Sequence, residues 1–209
     1  LAPSRLLSAY SKGIFPWYEL DQPILWWSPD PRLILVPDNL LISRSLARLK
    51  RRNSYRFSID KKFAEVMQNC AATRQGSDGT WITDEMFTAY STLHQEGAAH
   101  SVEVWSGAKL VGGLYGVAIG KVFFGESMFS KEDNTSKLAL VYLVNQLQSW
   151  GFELIDCQVT SNHLLSLGAT EISRNHFMQE LDRLIVQQVL PIAWQDDSPL
   201  LERLIVLTK

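Results

Sequence analysis

The stretch SVEVWSGAKLVGGLYGVAIGKVFFGESMFS, residues 101–130, decides the fold class of this chain. Three runs rich in Val, Phe, Tyr and Trp are broken by Ser106-Gly107 and Gly120-Lys121, pairs that close tight turns between neighbouring strands. Further on, 135–150 carries apolar residues at helical spacing and stops at Gly151. Strand FELIDCQV (152–159), a short helix from Asn162 to Leu167, strand ATEIS (169–173) and a helix over 174–189 follow. The predicted order is β-β-β-α-β-α-β-α. Ahead of it the pattern predicts helices over 3–12, 43–51 (with Ser43 as N-cap), 61–72 and 84–96, and strands over 33–36 and 57–59. The expected class is α+β with a mixed, mainly antiparallel sheet. A domain boundary is expected near 74–80, at the turn-rich break TRQGSDGTW (73–81), or near 97–101; the first divides the chain into an N-terminal domain over 1–76, a catalytic domain over 77–195 and an extension over 196–209.

The totals bound the function classes. A chain of 209 residues with 46% hydrophobic and 20% charged residues reads as an ordinary globular protein able to bury a core. No run approaches the ~18 apolar residues of a membrane-spanning helix. Two cysteines, Cys70 and Cys157, are too few for a disulfide framework, so a reducing cytoplasm is expected. The N-terminus lacks both an initiating Met and a signal-peptide pattern, which reads as a truncated or processed start.

The net charge of −2 is unevenly spread. Eight basic residues against one acid, Asp60, lie between Arg44 and Lys62. On a helix over 43–51, Arg44, Arg48, Arg51 and Arg52 share one face, either a solvated surface or a polyanion contact. Residues 13–32, GIFPWYELDQPILWWSPDPR, hold three of the seven tryptophans and four of the eight prolines. The prolines argue against regular structure, and the indoles suit a stiff loop that buries some rings and offers others to a ligand. Trp17 is expected to face that ligand, with Trp26 and Trp27 bracing the loop from inside.

Two polar anomalies sit in apolar strands. Asp156 and Gln158, two apart, project from one face of a buried strand, as a helix cap, a satisfied core pair or a catalytic pair. Glu126, within VFFGESMF, requires a cationic partner, a metal or a bound ammonium. Other sites fit poorly. GESMF lacks the closing glycine of a nucleophile elbow, although Ser127, Asp156 and His163 follow hydrolase order. Cys157 with His163 is a weak thiol dyad, because alternation turns Cys157 away from Asp156. The four histidines show no metal-ligand spacing, and Gly112, Gly113, Gly116 and Gly120 match no phosphate-binding loop.

Taken in order, GIFPW, ILWWSPDPR, GTWIT, HSVEVW, LVGGLYGV, GESMFS, SK, LIDCQV and SLGA resemble the leucyl/phenylalanyl-tRNA–protein transferases. The resemblance implies an acetyltransferase-like (GNAT) fold for the C-terminal part. It implies transfer of leucine or phenylalanine, with methionine as a third candidate, from aminoacyl-tRNA to proteins with N-terminal Arg or Lys. Such transfer marks the acceptor for N-end-rule degradation. It implies Asp156 and Gln158 as catalytic and Glu126 as the aminoacyl-binding carboxylate. It further implies a side-chain pocket of Leu114, Phe123, Met128, Leu140, Leu143, Leu147 and Ile155. Trp17 and Trp81 would hold the tRNA's terminal adenosine, and Arg44, Arg48, Arg51 and Arg52 would approach the acceptor stem. No cofactor, metal or membrane partner is implied. Strict alternation puts Ile155 and Phe123 on faces opposite Asp156 and Glu126, so this pocket requires splayed strands. The alternatives are an acyl-CoA-dependent acetyltransferase and a non-catalytic RNA-binding module.

Overall fold

The computed structural model describes residues 1–19, 22–52, 55–74, 82–190 and 193–194. The chain begins with α1 (Pro3–Tyr10), whose Leu6 and Tyr10 face inward. The Trp/Pro loop is a small antiparallel hairpin, β1 (Phe15–Pro16) on β2 (Trp26–Trp27). Proline is tolerated there because this two-stranded ribbon is all edge. β3 (Arg32–Leu35), α2 (Arg44–Arg52), β4 (Arg56–Ile59), α3 (Phe63–Arg74) and α4 (Asp84–Gln95) follow. Ser43 caps α2, its Oγ accepting the Leu46 N–H at 3.2 Å.

The meander then forms where its turn signals lie: β5 (Ala99–Ser106), β6 (Lys109–Ile119) and β7 (Val122–Ser130). Gly120 turns the second hairpin at φ 55°, and a Cβ there would collide with the Leu184 carbonyl, so the turn needs glycine twice over. α5 (Thr135–Ser149) carries the chain back so that β8 (Leu154–Gln158) runs parallel to β7. α6 (Asn162–Leu165), β9 (Thr170–Ile172) and α7 (Arg174–Leu184) complete the predicted order, with α7 ending five residues short of the expected 189.

One seven-stranded sheet, in the order β4-β5-β6-β7-β8-β3-β9, holds all of this together. Among the described residues only β7–β8 is parallel, which makes the sheet mixed and mainly antiparallel, as expected. Strands from both sides of residue 76 share it: β4 extends the meander, and β3 inserts between β8 and β9. α1, α3, α4 and α7 cover one face, burying Tyr10, Met67, Tyr90 and Phe177 against Tyr115 and Phe124. α5 covers the other with Leu138, Leu140, Leu143 and Leu147, over Leu33, Leu114, Phe123 and Ile155. Each such side chain removed from water contributes about 1.5–3 kcal/mol.

Candidate active site

The parallel pairing of β7 with β8 runs from Val122↔Leu154 to Phe124↔Asp156 and ends there. Two irregularities open the strands beyond that point. Gly116 pairs with Gly125 while the adjacent Tyr115 pairs with Ser127, leaving Glu126 as the extra residue of a bulge. On β8, Leu33 pairs with Gln158 and Ile34 with Asp156, so Cys157 is skipped, and Gln158 sits at φ 64°. The alternation that separates Ile155 from Asp156 and Phe123 from Glu126 is therefore broken where the pocket needs it. A cavity of about 560 Å³ fills the gap.

Leu114, Phe123, Met128, Leu140, Leu143 and Ile155, six of the seven expected pocket residues, form its apolar wall. The seventh, Leu147, is fully buried in the core beneath α5 and does not line it. Glu126 and Gln158 line the polar end, and Phe15, Pro16 and Trp17 stand at the hairpin side.

Glu126 accepts three hydrogen bonds from neutral donors: Tyr10 Oη at 2.7 Å, Tyr90 Oη at 3.0 Å and Gln158 Nε2 at 2.9 Å. The two tyrosine hydroxyls also touch each other. Among the described residues no cation pairs with this carboxylate. Burial raises its pKa to about 7, the three hydrogen bonds oppose that rise, and the nearby Asp156 charge adds to it. Burial, and then the Glu126 charge, lift both tyrosines well above their ordinary value, so they remain donors.

Asp156 lies behind this wall. It is fully buried and is gripped by Arg32, with Nε–Oδ1 at 2.8 Å and Nη2–Oδ2 at 2.6 Å. Arg32 is itself buried, donates to the Gly13 carbonyl at 3.1 Å, and lies against the Phe15 and Phe177 rings. Asp156 Oδ1 also accepts the Gln158 backbone N–H at 2.9 Å. The carboxylate thereby fixes the left-handed turn that aims the Gln158 side chain at Glu126. With Nε2 committed to Glu126, the amide oxygen of Gln158 is the atom left to receive a donor.

Sequence reasoning missed Arg32, Tyr10 and Tyr90. Arg32 was visible in principle: an arginine opening the apolar strand RLIL is the same kind of anomaly as Glu126. Tyr10 read only as part of the apolar spacing of the first helix, and nothing along 84–96 singled out Tyr90. The rejected sites stay rejected. Ser127 Oγ and His163 Nε2 both border the cavity side of the fold without a hydrogen-bond partner, and Asp156 is committed to Arg32, so these three residues form no Ser-His-Asp relay. Burial, then the Asp156 charge, push the Cys157 thiol well above its usual range. Burial and Lys137 lower the pKa of His163. Among the described residues no cluster of His, Cys, Asp and Glu could hold a metal ion, and no helix is long and apolar enough to cross a membrane.

Arg44 and Arg48 project into solvent from α2, which also contains Arg51 and Arg52. Trp81 and the extension 196–209 lie outside the described residues. Trp27, expected inside the loop, is instead 44% exposed, whereas Trp26 is partly buried and packs on the core. The hairpin register explains the difference, because adjacent strand residues face opposite ways.

Residues 34–182 match the family described as leucyl/phenylalanyl-tRNA protein transferase, and residues 1–30 match its N-terminal domain. The chain belongs to the leucyl/phenylalanyl-tRNA protein transferase family. A transferase of this name from Hahella chejuensis is 59% identical over 182 residues, 87% of this chain and 78% of that one. The one from Cellvibrio japonicus is 52% identical over 200 residues, 95% of this chain and 85% of that one. Among solved structures, L-PGS from Bacillus licheniformis aligns with a TM-score of 0.48 at 11% identity, over 76% of this chain and 66% of that one. Membership in a transferase family sets aside the non-catalytic RNA-binding alternative. All the cavity walls and the Asp156–Gln158–Glu126 network fall inside the leucyl/phenylalanyl-tRNA protein transferase match, apart from the Phe15–Trp17 rim, which falls in its N-terminal domain.

Proposed function

We propose that this chain transfers leucine or phenylalanine from aminoacyl-tRNA to the α-amine of a protein beginning with Arg or Lys, a reaction that feeds N-end-rule degradation in the bacterial cytoplasm. The observation that carries it is an apolar cavity ending on a carboxylate and an amide oxygen. That is the complement of an amino acid with an apolar side chain, a free ammonium and a reactive ester. The side chain enters the Leu114–Met128–Leu140–Leu143 wall, and the ammonium meets Glu126. The separation of β7 from β8 supports a GNAT-like sheet, here opened for an aminoacyl ester.

The chemistry then follows from position and charge. The ester is already activated, so no nucleotide need be hydrolysed. An α-amine with an ordinary pKa near 8 is about a tenth neutral at pH 7. The Gln158 amide oxygen accepts a hydrogen bond from that neutral amine and aims its lone pair at the ester carbonyl. The C–N bond forms, the ester C–O bond breaks, and the amine's proton ends on the departing ribose oxygen. Holding ester and amine in this geometry supplies much of the acceleration. Asp156 touches neither reactant. It acts through the Gln158 backbone and is a positioning residue, with Arg32 holding it in place. Trp17 at the rim stacks on the terminal adenosine, together with Trp81, and the α2 arginines approach the acceptor-stem phosphates.

The test follows radiolabelled Leu or Phe from charged tRNA into an Arg-initiated peptide. Gln158→Ala should lower kcat at least a hundredfold while charged-tRNA binding stays within about twofold. Full-rate transfer by that variant would remove Gln158 from the mechanism.

A further inference from the structure

Two indoles stand out of the fold beside the cavity. Trp17 is 42% exposed and Trp27 44% exposed, whereas tryptophan is highly buried on average. Trp17 lines the cavity rim. Trp27 is its neighbour, with ring centroids 5.8 Å apart and planes inclined at 51°. The backbone holds both in place. Trp17 N–H donates to the Leu25 carbonyl at 3.0 Å, and Trp27 Nε1–H donates to the Trp17 carbonyl at 2.7 Å.

That last bond is informative. It satisfies the one polar atom of the Trp27 side chain inside the hairpin, so what remains exposed is ring surface alone. A rigid, flat π-surface with no polar handle suits a ligand that is itself flat and is recognised by stacking. The wide tilt between the rings means that Trp17 does not cover Trp27 face to face. Each keeps a face for a separate partner.

We propose that Trp27 is the stacking platform for the nucleobase immediately 5′ to the tRNA's terminal adenosine. This rests on the aminoacyl-tRNA reading given above. The ester inside the cavity is joined to the terminal ribose, so the terminal base is held at the rim, where Trp17 stands. The single strand must then leave past the rim, and among the described residues the exposed aromatic surface beside Trp17 is Trp27. Stacking is indifferent to base identity, so one platform serves every tRNA with the same 3′ end.

Two minimal donors test this: the leucyl ester of adenosine and the leucyl ester of the dinucleotide cytidylyl-adenosine. In the parent chain the dinucleotide ester should show the lower KM, by about fivefold to 150-fold if one stacked base contributes ~1–3 kcal/mol. Trp27→Ala should erase that difference and leave the adenosine ester's KM within about twofold. Trp27→Phe keeps a ring but lacks the Nε1–H donor, and it should retain most of the difference. The proposal is overturned if Trp27→Ala keeps the dinucleotide advantage. It is equally overturned if Trp27→Phe loses that advantage along with Trp27→Ala, since the indole would then matter only for its hydrogen bond to Trp17. If the parent chain used neither ester, the aminoacyl-donor reading itself would fail, and this one with it.

Discussion

Glu126→Gln separates a residue kept for chemistry from one kept for folding. The carboxylate is fully buried, and its pKa is raised from 4.5 to about 7, so the folded state holds a proton that the unfolded chain would release. A carboxyl whose folded pKa lies above its unfolded value contributes most to stability below the unfolded pKa. That contribution falls as pH rises through the folded pKa. At ~1.4 kcal/mol per pKa unit, the difference amounts to about 3 kcal/mol between pH 4 and pH 8. Glutamine has the same shape, keeps an oxygen for the Tyr10 and Gln158 donors, and never ionises. The stability difference between Glu126→Gln and the parent should therefore drift by about 3 kcal/mol in the variant's favour as pH rises from 4 to 8. The constant cost of the altered hydrogen bonds cancels in that drift. Urea melts at five or six pH values measure it, each with its own m-value. The same variant should raise the KM for charged tRNA, because an amide cannot hold an ammonium as a carboxylate does. A stability difference that does not change with pH would refute the reasoning, since the burial penalty would then not be acting on Glu126.

Three further outcomes follow from the geometry. Arg32→Met leaves Asp156 buried without its partner and should cost about 3–5 kcal/mol. The double variant Arg32→Met/Asp156→Asn should be less destabilised than the sum of the singles, and additivity within about 0.5 kcal/mol in urea melts would mean the pair is not coupled. Arg44→Gln with Arg48→Gln should flatten the log–log salt dependence of tRNA binding by about one to two in slope, and parallel slopes would leave α2 a mere surface. Leu143→Ala widens the apolar wall and should shift kcat/KM from Leu toward Phe by about tenfold, read by competing the two charged tRNAs.

Much of this architecture was legible in the chain. The meander, α5 and β8 announce themselves through periodicity and turn residues, since those signals are local. Asp156, Gln158 and Glu126 could be singled out because a polar group in an apolar strand must be compensated. What compensates them was not legible. Arg32 reaches Asp156 across 124 positions of sequence, and Tyr10 reaches Glu126 across 116. No pattern along one segment encodes such distant pairings. Strand alternation also misled, because the bulge at Glu126 and the left-handed Gln158 each shift the register by one residue. Gly125 was the available hint: a glycine beside a buried glutamate in a strand is where a bulge is expected. Trp27 shows the opposite failing. Its flanking prolines suggested an inner brace, while the two-residue hairpin turns it outward.

The insertion of β3 between β8 and β9 also constrains how the protein is made. Leu33, Ile34 and Leu35 leave the ribosome well before their partners at 154–158 and 170–172, which come about 120–140 residues later. At roughly 5–20 residues per second, this greasy tripeptide waits on the order of ten seconds with both edges unpaired. During translation, therefore, the segment that holds Arg32 is one that chaperones would shelter. A pause in translation after β3 would lengthen that wait, whereas the same pause after β9 would cost the nascent chain little.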